Sequence, residues 1–157
     1  MQTQIQQMHY VKGIDPVADF ADTDQYTDVV NMKNFESVVF LVYKGVGTTG
    51  TSTLTVEACD DVVPTTPTAV PFFYKTMAGS DDVPSALTKA TSSGLTTTAG
   101  SSQMYACEGR YGDLAALGFT YCRLKMHEVV NSPVLGGVAI IMGNTRSLKD
   151  PASSAIV

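Results

Sequence analysis

Phe119-Thr120-Tyr121-Cys122-Arg123-Leu124-Lys125-Met126 is followed, after the turn-rich Asn131-Ser132-Pro133, by Val134-Leu135-Gly136-Gly137-Val138-Ala139-Ile140-Ile141-Met142. In the first stretch Thr120, Cys122, Leu124 and Met126 fall on one face at period two, and Phe119, Tyr121, Arg123 and Lys125 fall on the other. That alternation belongs to a β-strand with one face to bury and one that carries charge and aromatics. The second stretch is apolar on both faces. As a strand it must be covered twice, either by a second sheet and a neighbouring loop or by another subunit. The pattern suits a binding protein better than an enzyme.

Working outward, runs rich in Val, Ile, Thr, Tyr and Phe recur at about 26–32, 36–44, 52–59, 69–77 and 103–109, with a weaker one near 83–88. Gly, Pro, Asp, Ser and Thr separate them. No window sustains a 3.6-residue apolar period; Asp113-Leu114-Ala115-Ala116-Leu117 offers one helical turn, capped by Asp113 and ended by Gly118. Strands at this spacing without intervening helices predict an all-β fold, an antiparallel β-sandwich with jelly-roll connections. Residues 91–102 and 62–68 read as exposed loops. Residues 1–25 read as an extended N-terminal arm outside a single domain of residues 26–157. The arm is polar, punctuated by Gly13 and Pro16, and too poor in apolar surface to hold itself folded, so it is expected to be mobile or laid on something else.

A chain of 157 residues is the size of one domain and can bury a substantial core. Its net charge is −5, and its ten Lys and Arg are scattered. Nucleic-acid binding by counterion release needs several phosphates neutralised together, so no nucleic-acid partner is expected. Cys59, Cys107 and Cys122 are odd in number and far apart, without the spacing of a zinc site, and read as free thilos of a reducing compartment. A disulfide between Cys107 and Cys122 is conceivable only if their strands are neighbours. The first eight residues are polar where a signal peptide needs an apolar core, and no run approaches the roughly 20 apolar residues of a membrane helix, so neither secretion nor a membrane is expected.

Gly45-Val46-Gly47-Thr48-Thr49-Gly50 matches the dinucleotide fingerprint in spelling only. The third glycine should open a helix, yet Thr51-Ser52-Thr53-Leu54-Thr55-Val56-Glu57-Ala58 continues as an alternating strand, so a hairpin loop is expected. Asp15, Asp19, Asp22 and Asp24 lack the glycine and distal glutamate of a calcium loop, and Asp60-Asp61 and Asp81-Asp82 read as solvated turns. His9 and His127 have no nucleophile or ligand spacing beside them. Tyr26, Tyr43, Tyr74, Tyr105, Tyr111 and Tyr121 suggest a sugar or base platform less than residues that straddle core and surface. No catalytic residue, metal or cofactor is therefore expected.

Asn31-Met32-Lys33-Asn34-Phe35-Glu36-Ser37-Val38-Val39-Phe40, Gly50-Thr51-Ser52-Thr53-Leu54-Thr55-Val56-Glu57-Ala58-Cys59, and Tyr121-Cys122-Arg123-Leu124-Lys125 running on to Ser132-Pro133-Val134 and Asn144-Thr145-Arg146 resemble the head decoration, or cement, proteins of tailed bacteriophages. The resemblance spans about residues 26–146 and does not reach the arm. It implies a β-sandwich assembled in the host cytoplasm onto the outer surface of a virion capsid, with the major capsid protein as partner and a homo-oligomer, a trimer above all, as the working form. Ile5, Met8, His9 and Tyr10 are the expected shell contacts, and Val138, Ile140 and Met142 the expected contacts between subunits. The competing expectations are a phage tail or head-completion protein and a glycan-binding β-sandwich.

Overall fold

The computed structural model describes residues 3–78 and 83–145. Asp81, Asp82 and Arg146, named above, lie outside them. Two antiparallel sheets pack face to face. The elements are α1 (Gln4–Gln7), β1 (His9–Val17), β2 (Asp24–Tyr26), β3 (Val30–Asn31), β4 (Phe35–Gly47), β5 (Thr51–Cys59), β6 (Thr68–Val70), β7 (Phe72–Ala78), β8 (Thr88–Ala90), β9 (Leu95–Thr96), β10 (Gln103–Arg110), α2 (Tyr111–Ala115), β11 (Tyr121–Val130) and β12 (Val134–Thr145). The first sheet has the order β1-β12-β4-β10-β7-β8, and the second β2-β11-β5-β6, with β3 also on β11 and β9 on β5.

The chain crosses between sheets at most of its connections; β2 to β3, β5 to β6 and β7 to β8 stay within one sheet. Taken in chain order, β1, β4, β10 and β12 build one sheet while β2, β5, β6 and β11 build the other, and the last strand returns to lie between the first and the fourth. Those are the two interlocked Greek keys of a jelly roll, with β7 and β8 widening the first sheet. Pro71, which has no N–H to give to a ladder, stands where the chain leaves β6 in one sheet and enters β7 in the other.

Period-two alternation fills the space between the sheets. Val38, Phe40 and Val42 of β4, Leu54, Val56 and Ala58 of β5, Tyr105 and Cys107 of β10, Cys122, Leu124 and Met126 of β11, and Ile140 and Met142 of β12 are all buried. Each such aliphatic or aromatic side chain contributes on the order of 1.5–3 kcal/mol by leaving water. Phe119 and Thr120, expected as the start of the penultimate strand, lie just before β11.

Residues 3–25 are not an arm lying away from the sandwich. Gln4–Gln7 form one exposed helical turn, and β1 is laid along β12 as the edge strand, with Val11 opposite Ile140 and Ile14 opposite Val138. Val11, Phe20 and Ala21 are buried, and the Phe20 amide donates to the Val134 carbonyl at 3.0 Å. What the composition hid is spacing: a few apolar residues suffice when the neighbouring strand brings them to the core. The register slips between Lys12 and Ile14 and again between Ile14 and Val17, around Gly13 and Pro16. A Cβ on Gly13 would stand 2.7 Å from the Val138 carbonyl oxygen, and one on Gly137 2.9 Å from that of Ile14, so the two glycines let the strands approach.

The Gly45–Gly50 stretch is not a hairpin loop: Gly45–Gly47 still belong to β4, and residues 48–50 carry the chain from the first sheet to β5 in the second. A Cβ on Gly50 would lie 2.3 Å from the Ser132 carbonyl oxygen, which the other crossing loop presses against it. The expected helical turn is α2, but it begins at Tyr111, so Asp113 lies within its first turn rather than at its cap. Gly118 takes a positive φ of 81° soon after it.

Candidate binding surface

The outward faces of the two sheets differ. On the second sheet the alternation places Thr51, Thr53 and Thr55 of β5 outside, next to Arg123, Lys125 and His127 of β11. Arg123 Nε donates to Glu57 Oε2 at 2.8 Å, and its guanidinium sits 4.0 Å from the centre of the Tyr26 ring. Asp24, at the edge, receives Lys125 Nζ at 3.1 Å and pairs with His127 Nδ1 at 2.5 Å. Those two partners hold the Asp24 carboxyl below its ordinary pKa, the His127 hydrogen bond first, and Asp24 in turn raises Lys125. This face is a charge-paired surface.

The first sheet turns apolar side chains to the outside. Across the strands, Tyr10 stands opposite Ile141, Ile141 opposite Val39, Ala139 opposite Leu41, Leu41 opposite Ala106, Tyr43 opposite Met104 and Met104 opposite Met77. None of these side chains is buried, and Tyr10, Tyr43 and Leu135 are 53%, 55% and 43% exposed. Charge enters it at a few positions: Lys12 stands opposite Ala139, Glu108 opposite Val39 and Phe73, and Lys75 opposite Ala106. Arg110 lies 4.3 Å and Lys89 5.4 Å from the centre of the Phe73 ring, and Arg110 also meets Glu108 at 3.1 Å. Where β1 bulges away from β12, a groove of about 710 Å³ opens between Tyr10, Ile14, Leu41, Tyr43 and Leu135, with Lys12 and Asp15 as its charged groups.

This arrangement relocates the residues expected at interfaces. Val138, Ile140 and Met142 are 5%, 0% and 0% exposed, packed between the sheets, and so are not available to another subunit. The alternate set on the same strand, Leu135, Ala139 and Ile141, is the one that faces out. Ile5, Met8 and Tyr10 are exposed, while His9 is half-buried with its ring centre 6.0 Å from that of Phe35. Tyr10 alone joins the apolar face. The sequence-level signal for that face was present in Val39, Leu41, Tyr43, Met104 and Ala106, which alternate with the core residues of β4 and β10 without turning polar.

The remaining chemistry is structural in placement. Lys44 is buried at one end of the core, where its Nζ donates to the carbonyls of Gly50 at 2.8 Å and Thr98 at 2.5 Å, and burial lowers its pKa. It ties the β4–β5 crossing to the long loop before β10. Cys59, Cys107 and Cys122 are free and buried; burial pushes Cys59 up to about 11 and Cys107 up to about 12, and raises Cys122 further. Cys107 and Cys122 lie in opposite sheets, so their strands are not neighbours. The two histidines lie far apart in the fold, one against Phe35 and one on the second sheet, and among the described residues no three His, Cys, Asp or Glu gather as a metal site. Among the described residues no helix is long and apolar enough to cross a membrane.

No protein-family model matches the sequence, and no curated protein matches it. The solved structure of SPBc2 prophage-derived protein YomS is similar at a TM-score of 0.46 and 7% identity, over 87% of this chain and 93% of that one. A likeness that slight adds nothing to the fold described above.

Proposed function

We propose that this chain is a structural, non-catalytic virion protein of a tailed bacteriophage: a decoration protein that binds the outer surface of the capsid and steadies contacts between major capsid subunits. The observation that carries the reading is the one-sided surface of the sandwich, apolar on one sheet and charge-paired on the other. A monomer in water rarely leaves an apolar patch wider than a few hundred Å² uncovered, so the fold is built for assembly. The resemblance of the strand segments at residues 31–40, 50–59 and 121–125 to head decoration proteins supports a phage head as the assembly.

Attachment would be multivalent. Several copies joined in one oligomer present their small contacts at high effective concentration, so each can be weak while the whole holds. Ile5, 74% exposed on α1, and Met8 beside it are the outlying apolar residues offered to the shell. The test is to add the purified chain to heads that lack it and measure co-sedimentation. Saturable binding at a fixed, high ratio to the major capsid subunit is expected, with heads that then resist heating better. Absence of binding overturns the reading, and saturation at a handful of copies per particle replaces it with a tail or head-completion role.

A further inference from the structure

We infer that the apolar face of the first sheet is covered by the same face of a second copy, giving a two-fold dimer rather than the trimer the family resemblance implies. The inference rests on the assembly reading above in one respect, that the face is covered in the working protein.

Size is the first argument. Six strands about 4.8 Å apart and about eight residues long, at about 3.3 Å per residue, make a face of roughly 700 Å². A stable interface needs about 800 Å² per partner, and the whole outward face, its charged positions included, is close to that. Shape is the second. Two sheets of the same twist pack aligned, with their strands within about 30° of one another, and a second copy carries the same twist by construction. A face that meets itself does so about a two-fold axis, which closes after two copies. A three-fold axis would leave the middle of each face uncovered.

Chemistry is the third argument. The middle of the face is the apolar block Val39, Leu41, Ala139 and Ile141, with Lys12 beside Ala139, Glu108 beside Val39 and Lys75 beyond Ala106 at its border. Charges of both signs, Lys12 with Asp15 on one side and Glu108, Arg110 and Lys75 on the other, surround that block, and a second copy brings the same two signs to meet them. The doubly apolar pattern of β12 then has its explanation: one face closes the chain's own core and the other closes the dimer.

Sedimentation equilibrium of the full chain tests this. Wild type should weigh twice the 16.7 kDa of one chain at micromolar concentration. Ala139→Arg should raise the dissociation constant by about two orders of magnitude or more, because each dimer would bury the unpaired charge twice. Ala139 is exposed in the single chain, so its circular dichroism should not change. Thr53→Arg, on the polar sheet, should stay dimeric, and Tyr43→Glu should repeat the effect if Ala139→Arg fails to fold. A monomeric or trimeric wild type, or an Ala139→Arg variant that folds and associates as wild type does, overturns the inference. A monomeric wild type that still binds heads would sink the dimer alone; a dimer that ignores heads would sink the capsid reading alone.

Discussion

Ile140 and Ile141 are adjacent and chemically identical, yet the fold assigns them opposite fates: Ile140 is fully buried between the sheets and Ile141 lies on the outward face. Truncating each to alanine removes the same three carbons. For Ile140→Ala the lost transfer free energy is about 2.4 kcal/mol at about 0.8 kcal/mol per buried carbon. The cavity left between Val11, Phe40 and their neighbours adds to it, for a total of about 3–4 kcal/mol. At about 2–4 °C per kcal/mol for a chain of this size, the midpoint of thermal unfolding should fall by about 6–16 °C. Ile141→Ala should cost about 1 kcal/mol or less within one chain. Any larger loss should grow with protein concentration, because it would come from the partner's contact. Urea melts of both variants over a range of concentrations separate the two contributions. Equal, concentration-independent losses, or a greater loss at Ile141, would refute the face assignment on which the core and the interface both depend.

Lys44→Met removes the ammonium that joins the carbonyls of Gly50 and Thr98. Relief of the buried charge offsets part of the loss, and a net cost of about 1–3 kcal/mol is expected, with faster amide hydrogen exchange in the connections at 48–50 and 97–102; unchanged protection there would mean that the lysine is not their tie. Asp60 accepts from the Thr65 hydroxyl at 2.5 Å and from the amides of Thr65 and Thr66 at 3.0 and 3.3 Å, which lower its carboxyl to about 2. A depressed folded-state pKa contributes stability above the unfolded value near 4 and loses it as the pH falls from about 4 to about 2. Asp60→Asn should therefore flatten the stability profile across that window, as read from chemical melts at several pH values, and a profile identical to that of wild type would show that the loop does not use the charge.

Most of the sandwich was legible because one signal, period-two alternation, is also what builds it. Wherever alternation separates apolar from polar, as at Cys122-Arg123-Leu124-Lys125, it also tells inside from outside, and β11 lies as that pattern requires. Two regions defeated the reading for opposite reasons. In residues 9–17 the apolar residues are sparse and the register is broken by bulges at Gly13 and Pro16, so no sustained period marks the strand; only the neighbouring β12 makes it one. In β12 the apolar residues are continuous, so a shift of one position changes nothing in the pattern, and Val138, Ile140 and Met142 could not be told from Leu135, Ala139 and Ile141. That ambiguity has a physical source. A strand loses its in-out signal when both of its faces are to leave water, so the dimer proposed above would account for the failure to assign these faces from the sequence. In β12 the core covers only one face, and Val39, Leu41 and Tyr43 repeat the pattern one strand away, at the heart of the outward face.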